Sequence, residues 1–149
     1  MKNLQFEFYI DGTLEQVWKA LIDPEFTKQL YYGSIIESSF KVGEPLVYVG
    51  PGAEGERTTH VYGTVLAYEP NKKLSFTHFT GKAYNPDTEK YESRITYELE
   101  QVGQSTKLLL IHDQLKEDDP SYAGSQKGWP MILSNTKTLI ETGKTLVFD

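Results

Sequence analysis

One amphipathic stretch near the C-terminus constrains the fold more than any other feature of the sequence. Over Trp129–Gly143, apolar or small residues recur every three or four positions, which predicts a helix of about four turns or more with one apolar face. Between Ile35 and His112, apolar and polar residues instead alternate within short segments that turn residues separate, which predicts about six strands. A single late helix must bury its apolar stripe, so we expect it to lie on one face of an antiparallel sheet.

The N-terminal part predicts one further strand and two short helices. Leu4–Ile10 alternates with period two, as a half-buried strand does. Thr13 is a candidate N-cap, and Gln16 three residues later completes a capping box at the start of a first helix. Asp23-Pro24 then starts a second helix over about Glu25–Leu30, because Asp caps helices well and Pro suits the first helical position.

The remaining elements follow from the positions of the turn residues. Strands are predicted at 35–40, 46–49, 58–68, 73–80, 92–101 and 106–112, and a solvated loop at 113–125. The strand at 58–68 has an ambiguous face. Gly63, Val65 and Ala67 compete with Tyr62 and its neighbours at alternate positions for the inward side, and a bulge would switch them.

Short motifs spread over nearly the whole chain resemble one known superfamily in their order and spacing. The motifs are Tyr9-Ile10, Val17-Trp18-Lys19-Ala20-Leu21, Asp23-Pro24, Val42-Gly43, Gly63-Thr64-Val65, Glu69-Pro70, Lys73-Leu74, Tyr97-Glu98-Leu99, Thr106-Lys107-Leu108, Gly128-Trp129-Pro130, Leu133 and Glu141-Thr142-Gly143. Together they resemble the START-like superfamily (SRPBCC, or Bet v allergen-like), and within it the activator of Hsp-90 ATPase homologue C-terminal domain family.

The resemblance implies one α+β domain over residues 1–149 with a helix-grip fold. In such a fold a curved antiparallel sheet of six to seven strands wraps a long C-terminal helix, and an internal cavity lies between them. Members of the wider superfamily bind lipids, hormones and polyketides, and some are cyclases or hydrolases.

Charge and cysteine content exclude several classes of function. The net charge is −6, which opposes binding to nucleic acid or to an anionic membrane surface. The chain has no cysteine, so disulfides and thiolate metal sites are excluded. With no signal-like or membrane-spanning apolar run, we expect a cytoplasmic protein.

The three histidines lie on separate predicted strands. His78 and His112 fall on the inward side by alternation and are expected to hydrogen-bond within a pocket wall, whereas His60 cannot be assigned to such a pair. None of the three has a second histidine at the short spacing typical of tight metal sites. We therefore predict neither a metal site nor a cofactor.

No residue pattern identifies a catalytic site. Glu98 and Glu100 fall on the solvated face of their strand, and no serine lies in a Gly-x-Ser-x-Gly elbow. The glycine-rich segment 50–55 lacks the Lys-Ser or Lys-Thr of a phosphate-binding loop and is interpreted as a hairpin loop.

Aromatic and amphipathic residues on the inward faces are the candidate ligand-binding set. Rings with a few hydroxyls suit an amphipathic organic ligand, although the same rings could simply fill the core. The candidates are Tyr32, Tyr48, Tyr62, Phe76, His78, Tyr97, His112, Trp129, Leu133 and Thr136, with Tyr31 in the same aromatic set.

Three functions remain open from the sequence. The first is a non-catalytic module that binds a small hydrophobic or amphipathic molecule between the sheet and the last helix. The second is a stress-response or co-chaperone-type interaction domain whose partner is an Hsp-90-type chaperone. The third is a cyclase- or hydratase-type enzyme. The sequence does not distinguish a monomer from a homodimer.

Overall fold

A computed structural model describes residues 1–148 and has the predicted α+β composition, with seven strands and three helices in that range. The strands are β1 (Lys2–Ile10), β2 (Ile35–Ser38), β3 (Pro45–Pro51), β4 (Arg57–Glu69), β5 (Lys73–Thr80), β6 (Ser93–Val102) and β7 (Ser105–Leu115). The helices are α1 (Leu14–Ile22), α2 (Pro24–Leu30) and α3 (Tyr122–Thr142), and a single 3-10 turn covers Thr88–Lys90.

All strand pairs are antiparallel, and the sheet is open. The spatial order is β1-β7-β6-β5-β4-β3-β2, so β2 to β7 form a meander and the N-terminal strand is added beside the last one. Helix α3 packs against the inner face, most extensively along β1, while α1 and α2 close one end of the sheet. This is the predicted helix-grip arrangement.

The two short helices begin where the sequence indicates. The Thr13 hydroxyl accepts a hydrogen bond from the Gln16 amide, and the Gln16 side chain accepts one from the Thr13 amide, so the predicted capping box is confirmed. The Asp23 carboxylate accepts from the Glu25 amide at the start of α2. Each cap satisfies backbone donors that a helix start would otherwise leave unpaired.

The ambiguous face of β4 is resolved by a bulge. Val65 is buried and pairs with Phe76, but the register between β4 and β5 shifts before Ala67. Beyond the shift Tyr68 turns inward, where its ring packs 5.6 Å from that of Trp18. Gly63 allows the close strand approach here, since a Cβ at that position would lie 1.7 Å from the Thr77 carbonyl oxygen.

The segment predicted as a loop at 113–125 is shorter than expected, and that prediction is wrong at both ends. Strand β7 continues to Leu115, which pairs with Lys2 at the start of β1. Helix α3 begins at Tyr122, after a turn in which the Asp119 carboxylate accepts hydrogen bonds from the Ser121 amide and hydroxyl. The first turns of α3 are polar and have no apolar periodicity, which starts only near Trp129, so the sequence pattern did not indicate a helix there.

Helix α3 contains a proline and ends at a glycine. Pro130 has no amide hydrogen, so the carbonyl four residues earlier loses its helical partner. Gly143 adopts a left-handed φ of 79° and donates its amide to the Leu139 carbonyl, which makes it the C-cap. No helix of residues 1–148 is long and apolar enough to cross a membrane.

The core is densest where α1 and the second half of α3 meet the sheet. Residues of both helices and of the strand β7 are fully buried there, among them Val17, Leu21, Leu108 and Leu133. We call this region the closed end. The opposite region, where the first half of α3 lies over β4 and β5, is called the open end.

Candidate functional site

A cavity of about 490 Å³ lies at the open end, between the sheet and the first half of α3. Its size is within the usual range of small-molecule sites, roughly 300–1,000 Å³. Its walls come from the sheet, the segment after α2, the loop of Tyr84 and the side of α3 that faces the cavity. The main lining residues are Tyr31, Tyr32, Ser34, Tyr48, His60, Val61, Phe76, His78, Tyr84, Ile95, Gly124, Gly128, Trp129 and Ile132.

Five of the ten predicted binding residues line this cavity. Tyr48, Phe76 and His78 lie on the sheet side and Trp129 on the helix side, while Tyr32 stands at the mouth with 76% of its surface exposed. Their convergence follows from strand alternation and from the start of the apolar stripe of α3.

The other five predicted residues lie elsewhere. Tyr97 and His112 form a second layer behind the wall, and Leu133 and Thr136 are fully buried in the core. Tyr62 lies on the outer side of the sheet and stacks on Phe79 with ring centroids 4.9 Å apart. Alternation fixes this, because its neighbour Val61 faces the cavity.

Several lining residues were missed in the sequence. Gly124, Ser125 and Ser121 fell in the segment interpreted as a loop. Ile95 could have been found, since it shares the inward face of β6 with Tyr97. Tyr84 comes from the loop between β5 and β6, where no periodic signal exists.

Three tyrosine hydroxyls meet near the inner wall. Those of Tyr31 and Tyr97 are 3.0 Å apart and hydrogen-bonded. The hydroxyl of Tyr48 is buried beside that of Tyr97 and makes no hydrogen bond of good geometry within residues 1–148. Burial raises the pKa of Tyr31 to about 12 and those of Tyr48 and Tyr97 well above the usual 10, so all three stay neutral.

A second polar network joins α3 to the sheet through two histidines. The Trp129 indole N–H donates to His112 Nδ1 at 3.0 Å, and His112 Nε2 lies 2.9 Å from Ser93 Oγ. Ser93 Oγ is also 3.3 Å from His78 Nδ1. The sequence-based expectation of a hydrogen-bonded histidine pair in the wall thus corresponds to two imidazoles bridged by one serine.

Both imidazoles are neutral at physiological pH. Burial lowers the pKa of His78 to about 4, against an opposing influence of the nearby Asp119 carboxylate. Burial and the neighbouring His78 lower the pKa of His112 to about 3. The network therefore presents neutral hydrogen-bonding groups rather than a positive charge.

The serine between two histidines does not form an accessible nucleophile. Ser93 is 2% exposed and lies behind the cavity wall, outside the reach of a molecule in the cavity. No carboxylate belongs to the lining in the described part of the chain.

The rim of the cavity carries a separate histidine whose two nitrogens are both engaged. His60 Nε2 is 3.1 Å from the Pro51 carbonyl oxygen, and Nδ1 is hydrogen-bonded to the Tyr84 hydroxyl. A carbonyl can only accept, so Nε2 carries the proton and Nδ1 accepts from the tyrosine. This pair fixes the loop of Tyr84 to β4.

Metal ions and outer grooves offer no competing site. Within residues 1–148, no group of three or more His, Asp or Glu side chains is arranged to hold a metal ion. Two grooves on the outer surface are lined by charged side chains, one beside Lys137 and Glu7 and the other beside Lys73 and Glu98. Charged side chains line both grooves, whereas no Lys, Arg, Asp or Glu of the described residues lines the cavity at the open end.

Sequence comparison identifies one family. The family model described as activator of Hsp90 ATPase homolog 1-like protein matches residues 11–141. No protein of curated function is significantly similar to this chain in sequence.

Comparison with solved structures finds the same fold over 96–97% of this chain. Protein MLL2253 of Mesorhizobium loti is 23% identical, with a TM-score of 0.76 over 96% of this chain and 99% of its own. Protein ChR145 of Cytophaga hutchinsonii is 26% identical, with a TM-score of 0.75 over 96% of each chain. The Aha1 dimer of Colwellia psychrerythraea is 22% identical, with a TM-score of 0.74 over 97% of this chain and 99% of that one.

Proposed function

Because the chain belongs to the family of activator of Hsp90 ATPase homolog 1-like proteins, we propose that it is a non-catalytic binding module. One small hydrophobic or amphipathic molecule is held in the cavity between the sheet and α3. The observation that carries the proposal is the cavity itself, whose volume is about 490 Å³ and whose wall is mainly aromatic and aliphatic.

The energetics of such a site come from apolar burial. A ligand that buries about 200 Å² of apolar surface gains roughly 5 kcal/mol before the cost of association, at about 25 cal/mol per Å². Tyr48, Phe76 and Trp129 offer flat ring surfaces for that contact.

Gly128 provides the means to test this proposal. It lines the cavity, and a Cβ built on it would meet no atom within 4 Å. The Gly128→Leu variant therefore adds bulk at the cavity without a clash with backbone. Gln126→Leu adds the same side chain at an exposed position of the same helix that is outside the lining.

The measurement is a fluorescence titration with N-phenyl-1-naphthylamine, a neutral probe that brightens in apolar sites. The wild type and Gln126→Leu should bind one probe per chain, and Gly128→Leu should bind it at least tenfold more weakly. Absence of saturable binding to the wild type, or equal binding by both variants, would refute the proposal.

A second candidate function is a co-chaperone-type interaction domain with an Hsp-90-type chaperone as its partner. It is supported by the description of the family and by apolar side chains exposed after α3, at Leu146, Val147 and Phe148. Co-precipitation of an Hsp-90-type chaperone by the wild type, lost on replacing Val147 and Phe148 with serine, would favour it.

The Aha1 neighbour is described as a dimer, so the same samples should be examined for a homodimer by light scattering. The cytoplasm is the compartment that we propose for either function, since the chain has no cysteine.

A further inference from the structure

We propose that the cavity selects an uncharged ligand carrying a hydrogen-bond acceptor, and that the Nε2–H of His78 is the donor which that acceptor meets. This inference rests on the proposed binding function and adds the chemical class of the ligand. It follows from the direction of the hydrogen bonds in the wall and from the charges around the cavity.

The direction is fixed at the helix by Trp129. An indole N–H can only donate, so His112 Nδ1, 3.0 Å away, must accept with its lone pair. A neutral imidazole has one ring proton, which is therefore on His112 Nε2. That nitrogen lies 2.9 Å from Ser93 Oγ and donates to it.

The hydrogen bonds of Ser93 determine which ring nitrogen of His78 carries the proton. Having accepted from His112, Ser93 Oγ has a single proton for two acceptors, His78 Nδ1 at 3.3 Å and the His78 carbonyl oxygen at 3.4 Å, and the proposal assigns that proton to the bond with Nδ1. His78 then carries its own ring proton on Nε2. This nitrogen has no partner within residues 1–148 and is not fully enclosed, and His78 lines the cavity. A ligand acceptor can satisfy it.

The charges around the cavity exclude an ionised ligand group. The lining formed by the described residues contains no Lys or Arg, so a carboxylate or phosphate would lose its hydration without gaining a cation. Because burial lowers the pKa of His78 to about 4, the imidazole does not supply that cation either. The buried carboxylate of Asp119 is close enough to act on His78, and its charge repels anions.

Three naphthalenes that differ in one substituent test the selection. Each is titrated against bound N-phenyl-1-naphthylamine: 2-acetylnaphthalene has a neutral acceptor, 2-ethylnaphthalene has none, and 2-naphthoate is an anion at pH 7.5. We expect the acetyl compound to bind about fivefold more tightly than the ethyl compound, as for one net hydrogen bond. The naphthoate should bind at least tenfold more weakly than the acetyl compound.

Two histidine variants assign the preference to one donor. His78→Phe keeps a ring in the wall and removes the donor, so the ratio of acetyl to ethyl affinity should fall to about one. His60→Phe also changes an imidazole of the lining, but both nitrogens of His60 are already engaged by Pro51 and Tyr84. Its ratio should stay near that of the wild type, whatever happens to the two affinities separately.

The outcomes separate this inference from the proposed function. If the naphthylamine probe does not bind, both fail. If it binds but the acetyl and ethyl compounds are equal, or the naphthoate is preferred, only the present inference fails. Proton-detected nitrogen NMR of the histidine rings gives a readout without ligand: Nε2–H tautomers of both His78 and His112 are expected, and an Nδ1–H tautomer of His78 would overturn the proposal.

Discussion

The two halves of α3 lie on the same sheet and differ in nearly every physical respect. After Leu133 the helix is tied to the N-terminal elements, with Lys137 Nζ donating to the Tyr9 carbonyl and Glu141 accepting from the Asp11 amide. Before Leu133 no residue of the helix is fully buried, and the single side-chain hydrogen bond from that half to the sheet is that of Trp129. One helix thus serves the core at one end and covers a cavity at the other.

The composition of the two halves explains the difference. The first half contains Gly124, Gly128 and Pro130, each of which weakens a helix interior. The second half contributes Leu133, Thr136 and Leu139 to the buried core. The comparison teaches that stability is concentrated where binding is absent, so substitutions at the two ends should affect different measurements.

The largest expected effect comes from two adjacent residues on opposite sides of this division. Leu133 is fully buried, so Leu133→Ala should lower the free energy of unfolding by about 2–5 kcal/mol through lost burial and a new void. Ile132 is half-buried and lines the cavity, so Ile132→Ala should cost about 1 kcal/mol, because less surface leaves water on folding. Urea unfolding followed by far-ultraviolet circular dichroism measures both.

The same two variants should rank in the opposite order in ligand binding. Ile132→Ala removes apolar surface from the cavity wall and should lower the affinity for the naphthylamine probe. Folded Leu133→Ala should bind the probe as the wild type does. Equal losses of stability would show that the open end is as well packed as the closed end, and the division of α3 would be wrong.

The fold was predictable because its signals are periodic, while half of the candidate site was not. Alternation placed Phe76 and His78 on the inward face, and the capping box at Thr13 fixed the first helix. Tyr62 was misplaced because two alternating sets of side chains were equally apolar on β4, and only the bulge before Ala67 decides between them. Gly124 was missed because the polar first turn of α3 has no apolar stripe.

The second effect is a loss of stability in mild acid that arises at the open end. Burial lowers the pKa of His78 to about 4 and that of His112 to about 3, below the 6.5 of an unfolded histidine. Below pH 6.5 the two histidines take up protons in the unfolded chain but remain neutral in the folded chain. The free energy of unfolding therefore falls progressively as the pH drops from 6.5 towards these pKa values. Between pH 6.5 and 5 the two histidines together should lower the free energy of unfolding by about 3 kcal/mol.

Urea unfolding at pH 7.5, 6.5, 5.5 and 5 measures this slope. His78→Phe removes one of the two groups, so its stability should fall less steeply over the same range. Hydrogen exchange at pH 5 should show the first half of α3 opening before the second half. A flat profile for the wild type would mean that the histidines are hydrated and that the network through Ser93 is not formed.

The smallest effect compares two glycines of α3 that face open space for different reasons. A Cβ on Gly128 or on Gly143 would meet no atom within 4 Å, but Gly143 has a φ of 79° and Gly128 lies within the helix. Gly128→Ala should therefore raise the free energy of unfolding by up to about 1 kcal/mol through helix propensity, and Gly143→Ala should lower it by about 1 kcal/mol through left-handed strain. Thermal unfolding measures both.

The same two variants should also differ in ligand binding. The added methyl at Gly128 should lower the affinity for the naphthylamine probe while the protein becomes more stable, and Gly143→Ala should leave the affinity for the probe unchanged. A Gly128→Ala protein that is both more stable and a better binder would show that flexibility of the open end opposes binding, and that the glycines of the first half are not retained for the cavity.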